Sequence, residues 1–160
     1  PEEKGGMVYS PVESKAGEEK ESADEGGEPY PRSYGSMTYA GLLSFIYARV
    51  EREDPRVQAA YDWLCRNYNV DENPRMGAQG LYYYYHTMAK ALTVYGEDKL
   101  KTPAGEKAWK EDLLTKLVKL QKIDTNGDGY WINDNNRWWE ANNVLVTAYA
   151  VLSIETLLGR

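Results

Sequence analysis

The sequence predicts an all-α protein of about five helices that alternate between an inner and an outer layer. Three observations support this fold class. Apolar residues recur at helical spacing from residue 37 onward. The predicted helices alternate between ones that are apolar nearly all round and ones with a single apolar face. The apolar helices also share a short sequence, which indicates an internal repeat.

The first two predicted helices follow each other closely. Residues 37–50 have apolar side chains at helical spacing, namely Leu42, Leu43, Ile46, Tyr47 and Val50. Asp54 and Pro55 then begin a second helix, because Asp suits the N-cap and Pro the first helical position. One face of that helix is apolar, through Val57, Tyr61, Leu64 and Tyr68. The first helix is therefore expected inside and the second outside.

Three more helices are predicted toward the end of the chain. Residues 81–95 are apolar nearly all round and end at Gly96, a residue favoured after a helix. Thr102-Pro103 begins an amphipathic helix with an apolar face that includes Trp109, Leu113 and Leu117. A polar loop follows at residues 124–136. Asn142 or Asn143 then caps an apolar helix over residues 144–158.

The three apolar helices share a threonine followed by alanine. They read Thr38-Tyr39-Ala40, Thr87-Met88-Ala89 and Thr147-Ala148-Tyr149-Ala150, with threonines 49 and 60 residues apart. Self-similarity at such a period indicates repeated helix pairs, which bury their apolar faces by stacking. We divide the chain into residues 1–36, the end of a preceding repeat plus an acidic Gly-rich loop, and a repeat domain over residues 37–160.

Charge and cysteine content exclude several classes of protein. Residues 13–28 hold seven acidic residues and two lysines, a net −5 of the total −6. No basic stripe exists, so nucleic acid is not an expected partner. No apolar run reaches the roughly 20 residues that a membrane span needs. The single cysteine, Cys65, excludes an internal disulfide and a multi-cysteine zinc site. The chain begins at Pro1, so we expect a processed or truncated product, and its compartment is not predicted.

A turn between helices carries the clearest motif. Gln121, Gly129 and Trp131 resemble the Gln…Gly-x-Trp motif of squalene and terpene cyclases, with a longer spacer, and Gly5-Gly6-x-x-Tyr9 resembles a degenerate copy. Together with the Thr-x-Ala helices, they make the chain similar to the prenyltransferase/squalene-oxidase repeat superfamily. That resemblance implies an α/α toroid with more helices than this chain supplies. We therefore expect the C-terminal part of a longer protein, or a ring that a partner completes.

The resemblance implies two possible reactions, and this chain lacks residues that each of them needs. Tyr85-His86-Thr87 is similar to a segment of protein-prenyltransferase β subunits in which the histidine binds zinc. The positions of the other two ligands fall on Ser36 and Thr38, neither of which suits zinc. Zinc-dependent prenylation is therefore not expected. The Asp-x-Asp-Asp acid of class II cyclases is also missing from this chain, which weakens a cyclase reading.

The polar loop resembles a calcium-binding site. Asp124, Asn126 and Asp128 match the start of a calcium-binding loop, Asp-x-Asn-x-Asp-Gly. Asn135 stands where such a loop places its bidentate glutamate. The alternative is a polar turn in which Asp and Asn side chains bind their own backbone. No other cofactor is expected.

The candidate site residues lie near the beginnings of the inner helices. Trp138 and Trp139, with Glu140 and Asn142, line the mouth of a cavity or cap the hydrophobic layer. Of the four tyrosines at 82–85, some must pack against outer helices while one or two face the cavity. Lys90, one turn from His86, is expected to face a wet cavity or to meet a carboxylate such as Glu140.

These residues support three hypotheses about function. The first is a cavity that binds or converts a hydrophobic, isoprenoid-like substrate. Its catalytic candidates are His86 and Glu140, and its substrate-binding candidates are Tyr39, Tyr85, Lys90, Trp138, Trp139 and Asn142. The second is a non-catalytic scaffold or partner-binding module with the acidic segment as a docking arm. The third is a carbohydrate-active α/α toroid, which needs a second carboxylate beside Glu140. Whether the protein is an enzyme stays open.

Overall fold

The computed structural model describes residues 4–19 and 30–160. Most of the acidic segment, from residue 20 to residue 28, lies outside the described residues. The described part has five α-helices and three two-stranded antiparallel sheets. The helices are α1 (Gly35–Tyr47), α2 (Pro55–Arg66), α3 (Leu81–Tyr95), α4 (Trp109–Leu120) and α5 (Asn143–Leu157). The strands are β1 (Glu18–Glu19), β2 (Tyr30–Pro31), β3 (Leu100–Thr102), β4 (Gly105–Lys107), β5 (Lys122–Ile123) and β6 (Gly129–Tyr130).

Helix α3 occupies the middle of the fold. It packs between α1 and α5, while α2 packs on α1 and α4 packs on α5. Ten of its residues are buried, because nearly every face of this helix is apolar or aromatic. The core around it includes the fully buried Trp63 of α2 and Trp109 of α4. Helices α1, α3 and α5 therefore pack in succession, and α2 and α4 each pack against one of them.

The sequence signals at several helix ends are confirmed. The Asp54 side chain accepts a hydrogen bond from the backbone N–H of Arg56 at 2.8 Å, and Pro55 is the first residue of α2. Gly96, which has a φ of 86°, ends α3. The Asn142 side chain accepts hydrogen bonds from the N–H groups of Val144 and Leu145, so Asn142 is the N-cap of α5. Local capping chemistry places these ends correctly.

The all-α fold class, and with it the α/α toroid, is wrong, because the described chain is mixed: 48% of it is helical and 12% is strand.

The clearest correction concerns Thr102-Pro103, which we expected to begin the fourth helix. Strands β3 and β4 pair there, with Thr102 opposite Gly105, and α4 begins only at Trp109. Gly105 has a φ of 104°, and the Thr102 hydroxyl accepts from Ala104 N and donates to Gly105 O. A Thr-Pro pair is compatible with a turn and with a helix start. Here Gly105, two residues after the proline, adopts the positive φ that favours the turn.

The motif residues of the turn after α4 contact each other. A Cβ on Gly129 would lie 2.3 Å from Nε2 of Gln121, so the glutamine side chain covers the glycine. The Trp131 indole N–H donates to the carbonyl of Leu117 at 2.8 Å. Strands β5 and β6 form a hairpin at this turn, where a polar loop was expected. The motif thus ties the end of α4 to the segment that leads into α5.

The repeated threonines make equivalent contacts in two of the three inner helices. The backbone N–H of Met7 donates to Thr38 Oγ1 at 3.0 Å, and that of Trp131 donates to Thr147 Oγ1 at 3.0 Å. Met7 and Trp131 each belong to a glycine-aromatic turn that precedes its helix. The Thr87 hydroxyl instead bonds within α3, to the carbonyls of Tyr83 and Tyr84.

Helix α5 differs from the prediction in its exposure. An apolar helix was expected to be buried on most sides, yet Val144, Val151 and Leu152 are 75%, 41% and 46% exposed. Contacts with α3 and α4 bury the opposite face, through Val146, Ala150 and Ser153. Within the described residues, no helix is long and apolar enough to cross a membrane.

Candidate functional site

A cavity of about 590 Å³ lies where the beginnings of α1 and α3 meet the segment before α5. Five aromatic side chains form much of its wall, together with Met37, Ser36, Gly80, Glu140 and Lys15. The aromatic residues are Tyr9, Tyr34, Tyr83, Trp138 and Tyr149. The volume falls in the range of small-molecule sites, which are concave, mostly apolar and supplied with a few polar groups.

The first wall comes from the start of α1. Tyr34 and Ser36 are each 3% exposed and line the cavity. The side chain of Asn73, from the loop before α3, holds this helix start in place. Its Oδ1 accepts from the N–H of Ser36 at 3.0 Å, and its Nδ2 donates to Ser36 Oγ at 3.3 Å. Asn73 therefore supplies the cap that Tyr34, at the N-cap position, does not provide.

Glu140 performs the same task for α3. Its Oε1 accepts hydrogen bonds from the N–H groups of Tyr82 at 3.1 Å and Tyr83 at 2.9 Å, and Asn133 Nδ2 donates to its Oε2 at 2.7 Å. The side chain is 1% exposed. A carboxylate is stabilised at a helix N-terminus by the unpaired N–H groups and the helix dipole. Glu140 thus completes α3 and also forms part of the cavity wall.

The segment before α5 has a strained backbone beside the cavity. Trp138 and Trp139 have φ values of 58° and 66°, a region that bulky residues rarely adopt. The Arg137 guanidinium lies 4.5 Å from the centre of the Trp138 ring. Gly80, the N-cap of α3, has a φ of 62° and contacts this ring; a Cβ there would lie 3.0 Å from Cε3 of Trp138. Such strain is concentrated at functional sites, where the surrounding structure maintains it.

The cavity phenols influence one another's ionisation. Burial raises the pKa of Tyr34 to about 12, an effect that Arg137 opposes and that Tyr83 and Tyr9 reinforce. Burial also raises the pKa of Tyr83, with a further contribution from Tyr149. The rings of Tyr83 and Tyr149 meet edge to face, with centroids 6.0 Å apart. The hydroxyl groups of Tyr34 and Tyr83 therefore keep their protons near neutral pH.

The two predicted catalytic residues lie in different places. Glu140 lines the cavity, whereas His86 is not among the lining residues. The His86 ring lies 5.6 Å from that of Tyr149, and its Nδ1 is buried without a hydrogen-bond partner in the described part of the chain. Burial lowers the pKa of His86, and the neighbouring Lys90 lowers it further. Lys90 is partly buried, does not line the cavity, and has no described carboxylate within ion-pair distance.

Of the predicted substrate-binding residues, one lines the cavity and the others lie elsewhere. Trp138 lines the cavity. Trp139 is 76% exposed, and Asn142 is committed to capping α5. Tyr39 and Tyr85 lie in the core, at 1% and 0% exposure, and the Tyr85 hydroxyl donates to the carbonyl of Val70 at 2.7 Å. Of the four consecutive tyrosines, Tyr83 is the one that lines the cavity.

The candidate calcium residues form a hairpin turn. Asp124 Oδ1 accepts hydrogen bonds from the N–H groups of Asn126 and Asp128 at 2.8 and 2.9 Å. All three residues are exposed. In residues 4–19 and 30–160, no cluster of three or more His, Cys, Asp or Glu side chains could hold a metal ion. The geometry matches the polar-turn alternative, in which the aspartate satisfies its own backbone.

The sequence analysis did not identify several cavity residues, although the threonine repeat contains a signal for two of them. Tyr34 and Tyr83 each lie four residues before the repeated threonine, at Thr38 and Thr87. They are therefore equivalent in the repeat, and both line the cavity. Ser36, considered only as a failed zinc ligand, also lines it. Tyr9, Lys15 and Tyr149 enter the wall through tertiary packing, for which the sequence has no local signal.

We compared the chain with family models, curated proteins and solved structures, and none of them matched.

Proposed function

We propose that this protein binds a hydrophobic, isoprenoid-like small molecule in the cavity, as a relative of the prenyltransferase/squalene-oxidase repeat superfamily. The observation that carries the proposal is the wall itself, where five aromatic side chains and Met37 line a cavity of about 590 Å³. Apolar contact with such a wall gains about 25 cal/mol for each Å² of ligand surface removed from water. The equivalent threonine contacts of Met7 and Trp131 support the relationship.

Binding without conversion is the form of this proposal that the side chains favour. Glu140 is the carboxylate of the described wall, and its oxygens accept hydrogen bonds from Tyr82, Tyr83 and Asn133. A proton donor or nucleophile needs an oxygen free to reach the substrate. Using Glu140 in catalysis would remove the cap of α3. His86 lies outside the wall, so it does not complete a catalytic pair with Glu140.

The two alternative functions account for less of this geometry. Glycoside hydrolysis uses two carboxyl groups across a cleft, and Glu140 has no second carboxyl group facing it among the described lining residues. A partner-binding scaffold requires no aromatic cavity of this size and no strained tryptophan pair beside it. Both features have a purpose if a small molecule occupies the space.

The test is a binding titration with farnesol, followed by calorimetry or ligand-observed NMR, on two matched variants. Trp138 and Trp139 are adjacent, aromatic and alike in backbone conformation, but only Trp138 lines the cavity. We expect Trp138→Ala to weaken binding about tenfold, the loss that corresponds to about 1.4 kcal/mol of contact energy. Trp139→Ala should leave the affinity unchanged.

Two results would contradict the proposal. Equal effects of the two tryptophan substitutions would place the ligand outside the cavity. Binding of a disaccharide such as maltose, with no binding of farnesol, would favour the carbohydrate alternative.

A further inference from the structure

We infer that the cavity recognises the polar end of its ligand as an uncharged oxygen, a hydroxyl or a carbonyl, through the hydroxyl groups of Tyr34, Ser36 and Tyr83. This inference rests on the proposed function, which supplies the apolar body of the ligand. It goes further because it assigns the chemical class of the head group. The observation behind it is a set of hydroxyl groups in the cavity wall that have no acceptor in the described part of the chain.

Tyr34 is the central donor. The residue is 3% exposed and lines the cavity, yet its hydroxyl group has no hydrogen-bond partner in residues 4–19 and 30–160. Its oxygen is not among the fully enclosed, unpartnered atoms of the described chain, so it opens into the cavity. Tyr34 keeps its proton, since burial raises its pKa to about 12. An oxygen of the ligand that faces this hydroxyl group would accept its hydrogen bond, so an acceptor at this place is favoured.

Two further hydroxyl groups surround the same space. Ser36 Oγ accepts from Asn73 Nδ2 at 3.3 Å, which leaves its own hydrogen without an acceptor in the described chain. The Tyr83 hydroxyl likewise has no described partner, and the ring lines the cavity beside Tyr149. Hydroxyl groups both donate and accept, so this set can bind an oxygen that is either an acceptor or a hydroxyl.

Charged head groups fit this cavity less well. An anion would share the cavity with the buried carboxylate of Glu140, a like charge in a region of low dielectric constant. Two cationic side chains lie nearby, and both already have partners. The Lys15 ammonium group forms an ion pair with Glu13, and the Arg137 guanidinium donates a hydrogen bond to Gln79 Oε1. A cation would find the Glu140 oxygens already occupied by backbone and amide donors. The Arg137 guanidinium already lies over the Trp138 ring, so that ring is not free to bind a ligand cation.

The experiment uses four ligands that share one C10 isoprenoid tail and differ only at the head. They are geraniol, the hydrocarbon 2,6-dimethyl-2,6-octadiene, geranyl phosphate and geranylamine. Each is titrated against the full chain and against Tyr34→Phe, which keeps the ring and removes the hydroxyl. Tyr83→Phe is the second variant in case the first folds poorly. Tyr47→Phe, on a tyrosine that is 62% exposed and outside the cavity wall, is the control.

We expect Tyr34→Phe to weaken geraniol binding about threefold to tenfold, the effect of one neutral hydrogen bond, and to leave hydrocarbon binding unchanged. The phosphate and the amine should bind more weakly than geraniol. Equal sensitivity of geraniol and the hydrocarbon to both tyrosine variants would overturn the inference while tail binding stands. Tightest binding of the amine or the phosphate would also overturn it. If no ligand with this tail binds, the proposed function itself fails.

Discussion

The backbone N–H of Tyr83 donates a hydrogen bond of 2.9 Å to Glu140, a residue 57 positions later in the chain. This contact joins the beginning of one inner helix to the segment that precedes the next. Asn73 makes the equivalent contact with Ser36, at the beginning of α1. In both cases a buried polar side chain caps the previous inner helix at the point where that helix lines the cavity. The site and the stability of the fold therefore depend on the same residues.

Removing the Glu140 carboxylate should destabilise the protein. Glu140→Ala leaves the N–H groups of Tyr82 and Tyr83 and the amide of Asn133 without an acceptor in a buried place. We expect a loss of about 2–4 kcal/mol in the free energy of unfolding, and about half of that for Glu140→Gln, which keeps one acceptor oxygen. Urea unfolding measures the difference. Glu155→Gln, on the exposed face of α5, is the control; a Glu140→Ala protein as stable as this control would contradict the assigned role.

Asn73 should behave as a second cap. Its side chain is fully buried and bonds to the backbone and hydroxyl of Ser36 and to the carbonyl of Gln79. We expect Asn73→Ala to cost about 1–3 kcal/mol, because a buried donor and acceptor lose their partner. Asn126→Ala, at an exposed turn, should change the free energy of unfolding by less than about 0.5 kcal/mol. Similar urea midpoints for the two variants would refute the capping role.

The strained backbone at Trp139 predicts an unusual preference for glycine. The residue is 76% exposed and has a φ of 66°. Glycine adopts this conformation without strain, so Trp139→Gly should be more stable than Trp139→Ala by about 1 kcal/mol. At Val144, in the first turn of α5, the order should reverse, since glycine weakens a helix by about 1 kcal/mol relative to alanine. Thermal or urea unfolding of the four variants measures both stability differences. If the alanine variant is the more stable one at both positions, the backbone at Trp139 is not strained.

His86 predicts how stability varies with pH. Burial and Lys90 hold its pKa below the ordinary value of 6.5, so the unfolded chain takes up the proton first on acidification. Because the unfolded state then binds more protons, stability falls as the pH drops through 6.5 toward the folded pKa. His86→Gln should flatten this part of the curve. Urea unfolding at several pH values measures it, and a curve unchanged by the substitution would refute the mechanism.

The single histidine allows a direct test by NMR titration of one imidazole. Lys90→Met should raise the measured pKa, because the substitution removes a like charge one helical turn away. Lys119→Met, on α4, should leave the pKa where it was. A measured pKa at or above 6.5 in the unsubstituted protein would show that His86 is not held in its neutral form.

The sequence determined those features that depend on neighbours along the chain. Asp54-Pro55, Gly96 and Asn142 mark helix ends through local hydrogen bonds and backbone geometry. The apolar periodicity indicated all five helices, although the expected start of α4 at Thr102-Pro103 was wrong. The repeated threonines indicated a repeat, and two of the three, Thr38 and Thr147, make equivalent contacts. Composition indicated no membrane span, and the described helices agree. These signals act within a few residues, so they can be read from the order of amino acids.

Tertiary structure decided the rest. The short hairpins that make the fold mixed form between segments with no alternating pattern, and Thr102-Pro103 suits both a turn and a helix. Glu140 was noticed as an acid, but its role depends on N–H groups 57 and 58 residues away. Tyr9, Lys15 and Tyr149 line the same cavity as Tyr34 only because α1, α3, α5 and their flanking segments converge. A cavity is a property of packing between distant segments, and no local pattern in the chain encodes it.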